Sequence, residues 1–358
     1  MTFVSTLGQS LDQIERLKQT QLSLATLQAQ ISSGKKTNLF KGLGTDVITS
    51  ERARASTQQL ETYSNNITIA DRRIKMMAQS MEQLKTQVEN VVNAIQIQTQ
   101  KGEFEMEAVS DLANKAATFV RDLLNTQDGD RFLFAGAESR TQPITDNGTM
   151  DTYMQFQLGE WVNGNIDTDE LISSYRDPDQ LNDTLVGYSA TLSSGSAKSV
   201  YVRVDEQTEI DFTVFANDPG LRDMLVALEM TANIDQVLDE VALDPDDDPL
   251  NTTTAPGADK AEQNDNFFNF FNDLAKMMNQ GLDKMEQTLY SLSQDQAQIS
   301  QIQEGHEIEK NIMADTIADV EDIDLNEVAV KLNALQVQLE ASYRVTATLS
   351  QLSLVNFL

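Results

Sequence analysis

The sequence predicts a mainly α-helical protein: long helices from both termini form an antiparallel, coiled-coil-like bundle, with a smaller β-rich (α+β) middle domain inserted between them. Apolar residues recur at alternating steps of three and four at both ends of the chain. The middle instead carries short alternating segments between turn residues. At 358 residues the chain is long enough for several domains. We expect an N-terminal helical region (1–130), a middle domain (131–262) and a C-terminal helical region (263–358).

The longest apolar stripe lies in the first hundred residues. It consists of Ile67, Ala70, Ile74, Met77, Met81, Leu84, Val88, Val91 and Ile95. A heptad pattern sustained over about four repeats indicates a helix packed lengthwise on others. With Asp46 as N-cap and Gly102 at its end, a helix over 46–101 would be roughly 80 Å long at 1.5 Å per residue. That length favours a rod over an ordinary globular helix.

Two further helices are predicted beside this stripe. The one before it has Leu17, Leu24 and Ile31 spaced by seven residues, with Leu27 between them. So narrow a seam predicts a helix that is weakly stable alone and stable beside partners. The helix after it ends at the turn residues 125–129. Its apolar positions are Met106, Val109, Ala113, Ala116, Val120 and Leu123.

The C-terminal region repeats this organisation. A long helix running from Phe271 carries one apolar face. A new helix is expected after Asp324, which would be its N-cap, with Glu327 closing a capping box. Its seam is formed by Val328, Leu332, Leu335 and Leu339. The last residues are again apolar, and an apolar terminus usually docks against something.

The middle of the chain has strand and turn signals. Residues 131–136 predict a short strand, and 200–204 with 210–215 predict a hairpin, because both alternate with period two. A helix is expected from Leu221 to Ala232, after Pro219 and Gly220. The acidic and proline-containing segment 243–257 predicts a solvated loop.

Composition excludes several classes of function. The formal net charge is −30, from 56 acidic and 26 basic residues, so a phosphate backbone or an anionic lipid surface would be repelled. The absence of cysteine removes disulfides, thiol nucleophiles and thiolate metal sites. No stretch reaches the roughly 18 apolar residues needed to span a bilayer. The first residues do not predict a cleavable signal peptide. Neither nucleic-acid binding nor membrane insertion is expected.

Catalytic and cofactor motifs do not emerge from the sequence. The single histidine, His306, cannot form a metal site or a catalytic triad alone. Asp244, Asp246 and Asp248 imitate the start of a calcium loop, but Pro249 stands where the tight turn needs glycine. Residues 32–36 imitate a phosphate loop without its first glycine or its final Ser/Thr. No catalytic residue, metal ligand or cofactor is therefore predicted.

Four segments resemble the flagellin superfamily. Leu27–Lys36 is similar to its Leu-Ser-Ser-Gly-Lys/Arg segment, and Thr49–Ala55 to the Ser-Glu-Arg-Met-Arg stretch that opens its long helix. Ile317–Glu327 resembles the acidic link to its last helix. Leu335–Tyr343 resembles its Leu-Gln-x-x-Leu-Gln-Ala-Ser core. The resemblance covers about the first 130 and the last 90 residues.

Two details resemble one family within it, the hook–filament junction proteins (hook-associated protein 3). Asp128–Gly136 is similar to that family's Gly-x-Tyr/Phe-Ile/Leu-Phe-Ala-Gly strand, and Ala341–Leu358 to its Ser-Leu-x-Asn-Phe/Tyr-Leu ending. The usual flagellin ending, Ala-Asn-Gln-x-Pro-Gln, is not present. Lys41–Asp46 departs from the Asp-Asp-Pro or Asp-Asp-Ala of the superfamily. The superfamily's conformation of the first inter-helix loop is therefore not expected for this chain.

The resemblance implies an extracellular structural subunit of the bacterial flagellum. It would be exported by the flagellar type III apparatus without a cleaved signal, and would form a homo-oligomeric ring. Expected partners are a neighbouring hook-associated protein, flagellin and an export chaperone. The predicted assembly interface consists of Leu17, Leu24, Leu27, Ile31, Leu332, Leu335, Leu339, Tyr343, Leu354, Phe357 and Leu358. A flagellin and, more remotely, a cytoplasmic coiled-coil adaptor remain as alternatives.

Overall fold

The computed structural model describes the backbone of residues 2–101, 104–146, 148–238 and 254–355, with side chains there except at 2–7, 9–10 and 349–355. The described chain is mainly helical and contains two small antiparallel sheets. Its internal contacts divide it into two compact units. We call Met1–Thr62 with Glu304–Leu358 the terminal unit, and Tyr63–Gln303 the middle unit. The predicted limits at 130/131 and 262/263 both fall inside the middle unit.

Long helices occupy both ends of the chain, as the apolar stripes predict. The elements in chain order are α1 (Thr2–Ser33), α2 (Val47–Lys101), α3 (Met106–Leu124), β1 (Gln127–Asp128), β2 (Arg131–Phe132), α4 (Thr149–Val162), α5 (Thr168–Arg176), α6 (Asp183–Val186), α7 (Ala190–Ser193), β3 (Tyr201–Arg203), β4 (Glu209–Asp211), α8 (Pro219–Asn233), α9 (Lys260–Glu321) and α10 (Leu325–Val355). A 3-10 helix (Phe40–Asp46) precedes α2. The helix predicted over 46–101 is confirmed to within one residue, while Gly102 lies outside the described residues.

The core of the middle unit is built on the predicted stripe of α2. All nine of its stripe residues, from Ile67 to Ile95, are at most 2% exposed. They join one apolar cluster with side chains of α3, α8 and α9, because a seam repeating every three or four residues keeps one face of a long helix against its neighbours. α9 begins at Lys260, earlier than the Phe271 from which the sequence predicts it.

Aromatic side chains close one part of this core. The Phe104 ring lies 4.2 Å from that of Phe271, and Trp161 stacks on Phe270 with ring centroids 5.0 Å apart. The indole N–H of Trp161 donates to the Thr168 hydroxyl at 3.1 Å. The buried indole therefore keeps its hydrogen bond, which makes its burial favourable.

The prediction of a β-rich middle domain is wrong. Between 131 and 262 the described strands β2, β3 and β4 have only two or three residues each, whereas α4 to α8 make this region mostly helical. The hairpin of β3 and β4 and the helix α8 are confirmed, but β2 covers only the first part of 131–136. α4 contacts α5, α6 and α8, so apolar residues on several of its sides obscure a helical period. Residues 239–253, with the acidic loop prediction, lie outside the described residues.

At Gly136 the chain after β2 passes close to the backbone before β3 and to the side chain of Phe215. It has a φ of +63°, and a Cβ there would lie 2.5 Å from Phe215 Cε1 and 2.7 Å from the Lys198 carbonyl oxygen. The Ala137 amide donates to that same carbonyl at 2.8 Å. Glycine is required here because the backbone is left-handed and the neighbouring backbone is too close for a side chain.

An ion pair is buried between α3 and α8 in the middle unit. Arg121 Nη1 lies 2.6 Å from Glu229 Oε1 and 3.4 Å from Asp146 Oδ2. Glu229 is 3% exposed, and burial raises the pKa of its carboxyl to about 7 despite the neighbouring guanidinium. Desolvation therefore outweighs the attraction to Arg121.

Candidate assembly interface

Helices α1 and α10 pack against each other within the terminal unit. Their mutually facing positions recur at steps of three and four. On α1 the half-buried positions are Gln13, Leu17, Thr20, Leu24, Leu27 and Gln30. On α10 the corresponding positions are Val328, which is buried, and the half-buried Leu332, Leu335, Leu339, Ser342 and Thr346. Polar residues occupy part of both sets, interspersed with the leucines on α1 and following them on α10, so the seam buries little apolar surface per turn.

Most of the predicted interface leucines lie on this seam. Leu17, Leu24 and Leu27 are half-buried on α1, and Leu332, Leu335 and Leu339 are half-buried on α10. Leu27 of α1 and Leu335 of α10 both line an open groove of about 490 Å³ on the surface of the helix pair. The groove is open to solvent, so Leu27 and Leu335 remain partly accessible in the single chain.

The remaining predicted interface residues lie elsewhere. Ile31 is 37% exposed and Tyr343 is 48% exposed, so neither belongs to the seam. The Tyr343 hydroxyl nevertheless accepts a hydrogen bond from Gln21 Nε2 at 2.8 Å, which joins α10 to α1. Leu354 is in α10 with its side chain outside the described set, and Phe357 and Leu358 lie outside the described residues.

The terminal unit has almost no core of its own. Among its described side chains, the buried apolar ones are Ala53, Leu60 and Val328. The middle unit, by contrast, buries the complete apolar stripe of α2 and most of the stripes of α3 and α9. Since apolar burial is the main favourable contribution to folding, the terminal unit is the less stable of the two.

Many large apolar side chains of the terminal unit are exposed. They are Leu11, Ile14, Leu22 and Ile31 on α1, Leu39, Phe40 and Ile48 between α1 and α2 or at the start of α2, Ile308 and Ile312 on α9, and Leu325, Val330, Val337 and Val345 on α10. Val330 and Val337 are 70% and 66% exposed and lie seven residues apart, which places them on one face of α10 away from the seam. Exposed apolar residues that share a helix face in this way make the outer face of α10 a candidate contact surface.

Glu321, at the end of α9, ties three segments of the terminal unit together. Its carboxylate accepts a short hydrogen bond from the Ser50 hydroxyl, and Arg54 Nη2 lies 2.8 Å from both carboxylate oxygens. Lys35 Nζ lies 3.4 Å from Glu321 Oε2 and 2.5 Å from Asp322 Oδ1. The hydrogen bond from Ser50, followed by the Arg54 contact, lowers the pKa of Glu321 to about 2. We call these residues the Glu321 clasp.

The backbone next to the clasp fixes where α10 meets α1. The Lys36 amide donates to the Glu321 carbonyl at 2.7 Å, and the Ile323 amide donates to the Gly34 carbonyl at 3.0 Å. The Lys36 ammonium donates to the Asp319 and Val320 carbonyls, at 2.7 and 3.0 Å, at the C-terminal end of α9. A cation there satisfies helix-end carbonyls and complements the helix dipole.

At the start of α10 the predicted N-cap is present, but Glu327 does not close the predicted capping box, because its carboxylate pairs with Lys331. Asp324 Oδ1 accepts hydrogen bonds from the amides of Asn326 and Glu327, at 2.8 and 3.2 Å, which confirms Asp324 as the cap. The Glu327 carboxylate lies 2.5 Å from Lys331 Nζ one turn further on. The cap and this pair set the first turn of α10 immediately after the clasp.

The sequence does not predict the Glu321 clasp. Ser50 and Arg54 lie 271 and 267 positions from Glu321, and neither carries a pattern that indicates a distant carboxylate. His306 is 6% exposed on α9, a position inside the helix packing. The described residues contain no group of three or more His, Asp or Glu that could hold a metal ion. None of the described helices is long and apolar enough to cross a membrane.

Comparison with known proteins gives no family assignment. The chain matches no family model and no curated protein. Its function must therefore be inferred from the interface geometry and from the sequence resemblance.

Proposed function

We propose that this protein is a structural subunit of the bacterial flagellum that joins the hook to the filament and assembles through its terminal helices. The observation that carries the proposal is the contrast within the chain. The middle unit has a complete apolar core, whereas the α1–α10 pair has a thin seam and exposed apolar side chains on its outer faces. Such a pair gains its missing burial when copies pack together.

The position of the flagellin-like segments supports the same proposal. Leu27–Lys36 and Ile317–Glu327 are far apart in sequence and contact each other through the Lys35–Asp322 bridge and the clasp. Two segments that resemble the same family and also contact each other in the fold support the proposed role more strongly than either resemblance alone. They would set the register of α1 on α10 in every subunit of the ring.

The physical properties of the chain suit export followed by assembly. A terminal unit with little core costs little to unfold, so its helices can pass through a narrow channel and order on contact with neighbours. The net charge of −30 opposes association of free subunits before they reach the assembly site. The partners in this proposal are further copies of the chain, a neighbouring hook-associated protein and flagellin, with a chaperone holding the terminal helices before export.

The deciding experiment is a deletion strain examined by electron microscopy, with flagellin measured in the growth medium. Complete hooks without filaments, together with released flagellin, would support the junction role. Filaments that persist or are only shortened would favour the alternative in which the chain is one flagellin among several. A product found only inside the cell, and never in sheared appendages, would favour a cytoplasmic adaptor.

A point-variant pair tests the role of the exposed α10 face. Complementing the deletion with Val337→Asp should fail to restore motility, because a charge is then buried between subunits. Gln338→Asp adds the same charge at a neighbouring exposed position and should restore it. Both variant proteins should be exported normally. Equal motility of the two strains would contradict a role for the Val337 face in assembly.

A further inference from the structure

A half-enclosed cavity lies in the middle unit between the two hairpins and α2. Its volume is about 290 Å³, and its apolar walls include Met77, Leu133, Val200 and Phe212. Arg73 and Arg131 also line it. An apolar cavity of about 150 Å³ can take up one benzene, so this one has room for roughly twice as many atoms. Apolar walls with a few polar groups are typical of a small-molecule site.

Arg73, one of the two arginines that line the cavity, belongs to a charged trio with Arg72 and Asp128 beside it. Asp128 Oδ2 lies 2.8 Å from Arg72 Nη2 and 3.0 Å from Arg73 Nε, so two guanidinium groups share one carboxylate. The pKa of Asp128 is held below its usual range, chiefly by the hydrogen bond from Arg72. This trio carries one excess positive charge.

Arg131 adds a second positive charge at the same cavity. It lies on β2, and no described carboxylate forms an ion pair with it, whereas Arg140 nearby in sequence is paired with Asp130 at 3.3 Å. Arg73 contacts Asp128 through Nε alone, so its two terminal nitrogens are not occupied by that contact. Guanidinium nitrogens in this state bind a carboxylate through two parallel hydrogen bonds.

We propose that this cavity binds a small organic carboxylate of about ten non-hydrogen atoms with an apolar body. Arg131 and Arg73 hold the carboxylate, and Met77, Leu133, Val200 and Phe212 contact the apolar body. The two lining guanidinium groups select an anion, and the apolar walls select against a simple inorganic one. The inference concerns the middle unit only and does not depend on the proposed flagellar role.

The test is isothermal titration calorimetry on the purified full-length protein with three probes. Octanoate should bind with one site per chain. Octanamide has the same shape without the charge and should bind at least about tenfold more weakly, since a charge-assisted hydrogen bond is lost. Inorganic phosphate should give no measurable heat. Equal binding of octanoate and octanamide, or no binding of octanoate, would overturn the proposal, and phosphate binding as tight as octanoate would overturn the role of the apolar walls.

A matched pair of variants assigns any binding to this cavity. Arg131→Gln should weaken octanoate binding by about tenfold or more. Arg140→Gln removes the same charge from a position that does not line the cavity, and should leave the affinity within about twofold. Arg131 and Arg140 are both exposed, so neither replacement disturbs the core. Octanoate bound by the exposed apolar faces of the terminal unit would be unaffected by either variant, and that result would contradict the assignment.

Discussion

The Arg54 guanidinium lies 2.8 Å from both carboxylate oxygens of Glu321, a residue 267 positions further along the chain. Arg54 is near the start of α2, and Glu321 is the last residue of α9, so this contact joins the beginning of α2 to the end of α9 within the terminal unit. Because this unit has so few buried apolar side chains, one such contact contributes a large share of its stability.

Replacing Glu321 with glutamine should therefore destabilise the terminal unit by about 1–3 kcal/mol, because hydrogen bonds to a charged group are lost around a buried side chain. Hydrogen exchange of the Lys36 and Ile323 amides, which bond across the clasp, measures the effect. Glu309→Gln is the control, since Glu309 is exposed on the same helix. Equal exchange rates in the two variants would show that the clasp contributes no stability.

Acid should loosen the terminal unit before the middle unit. The pKa of Glu321 is lowered from 4.5 to about 2, so its contribution to stability is present above pH 4.5 and is lost as the pH falls towards 2. Exchange of the Lys36 amide, corrected for its intrinsic pH dependence, should show protection falling over that window. In Glu321→Gln this additional fall should be missing. Protection that stays constant down to pH 2 in the natural protein would contradict the prediction.

The middle unit should show the opposite pH dependence near neutrality. The pKa of Glu229 is raised from 4.5 to about 7, so the folded state binds a proton that the unfolded state has released. Stability of the middle unit should fall as the pH rises from 4.5 to 7 and level off above it. Urea unfolding at several pH values measures this slope. Glu229→Gln should reduce the slope, leaving the part below pH 6 that Asp218 contributes, since burial raises the pKa of Asp218 to about 6. An unchanged slope in that variant would assign the effect to another group.

Replacing two glycines of the same backbone conformation by alanine separates the cost of a left-handed backbone from the cost of steric contact with neighbouring atoms. Gly136 and Gly129 have φ values of +63° and +67°, but an added Cβ meets Phe215 and the Lys198 carbonyl only at Gly136. Gly129→Ala should cost about 1 kcal/mol from the left-handed backbone alone. Gly136→Ala should cost at least about 2 kcal/mol more, because neighbouring backbone must move. Thermal unfolding of both variants checks the difference, and similar melting temperatures would refute it.

Truncating a seam leucine should affect the isolated subunit, whereas truncating an outer valine should not. Leu335→Ala removes half-buried apolar surface between α1 and α10 and should destabilise the terminal unit by about 1–2 kcal/mol. Val337→Ala, at a position 66% exposed, should change its stability by less than about 0.5 kcal/mol. Exchange protection along α10 in the free subunit distinguishes them. Equal effects would mean that the two positions do not lie on different faces.

The sequence predicted the long helices well because their apolar period is repeated over many turns. Every stripe residue of α2 is buried, and the cap at Asp324 is in place. Helices α4 to α7 were missed, because they are short and α4 is surrounded by several neighbours, which removes the one-sided pattern. Two short alternating segments then made the whole middle region seem rich in strands.

The candidate interface was predicted only in part, for a physical reason. Leu17, Leu24, Leu332 and their neighbours could be read from spacing, since a seam is a local periodic property. The Glu321 clasp depends on side chains that only the tertiary fold brings together. Ile31 and Val337 are exposed because α1 and α10 cover other faces of each other. The spacing of apolar residues alone does not determine which face of each helix is covered.

The contact between α1 and α10 also constrains when the protein can fold. Gln21 and Tyr343, which share a hydrogen bond, are 322 positions apart. On the ribosome, α1 emerges long before its partner exists, and the middle unit can complete its core while α1 is still alone. For nearly the whole of translation, the first helix is an amphipathic segment with no internal partner. The terminal unit can therefore fold only after α10 has been synthesised. Until then, a protein that binds the apolar face of α1 displaces water and no other part of the chain.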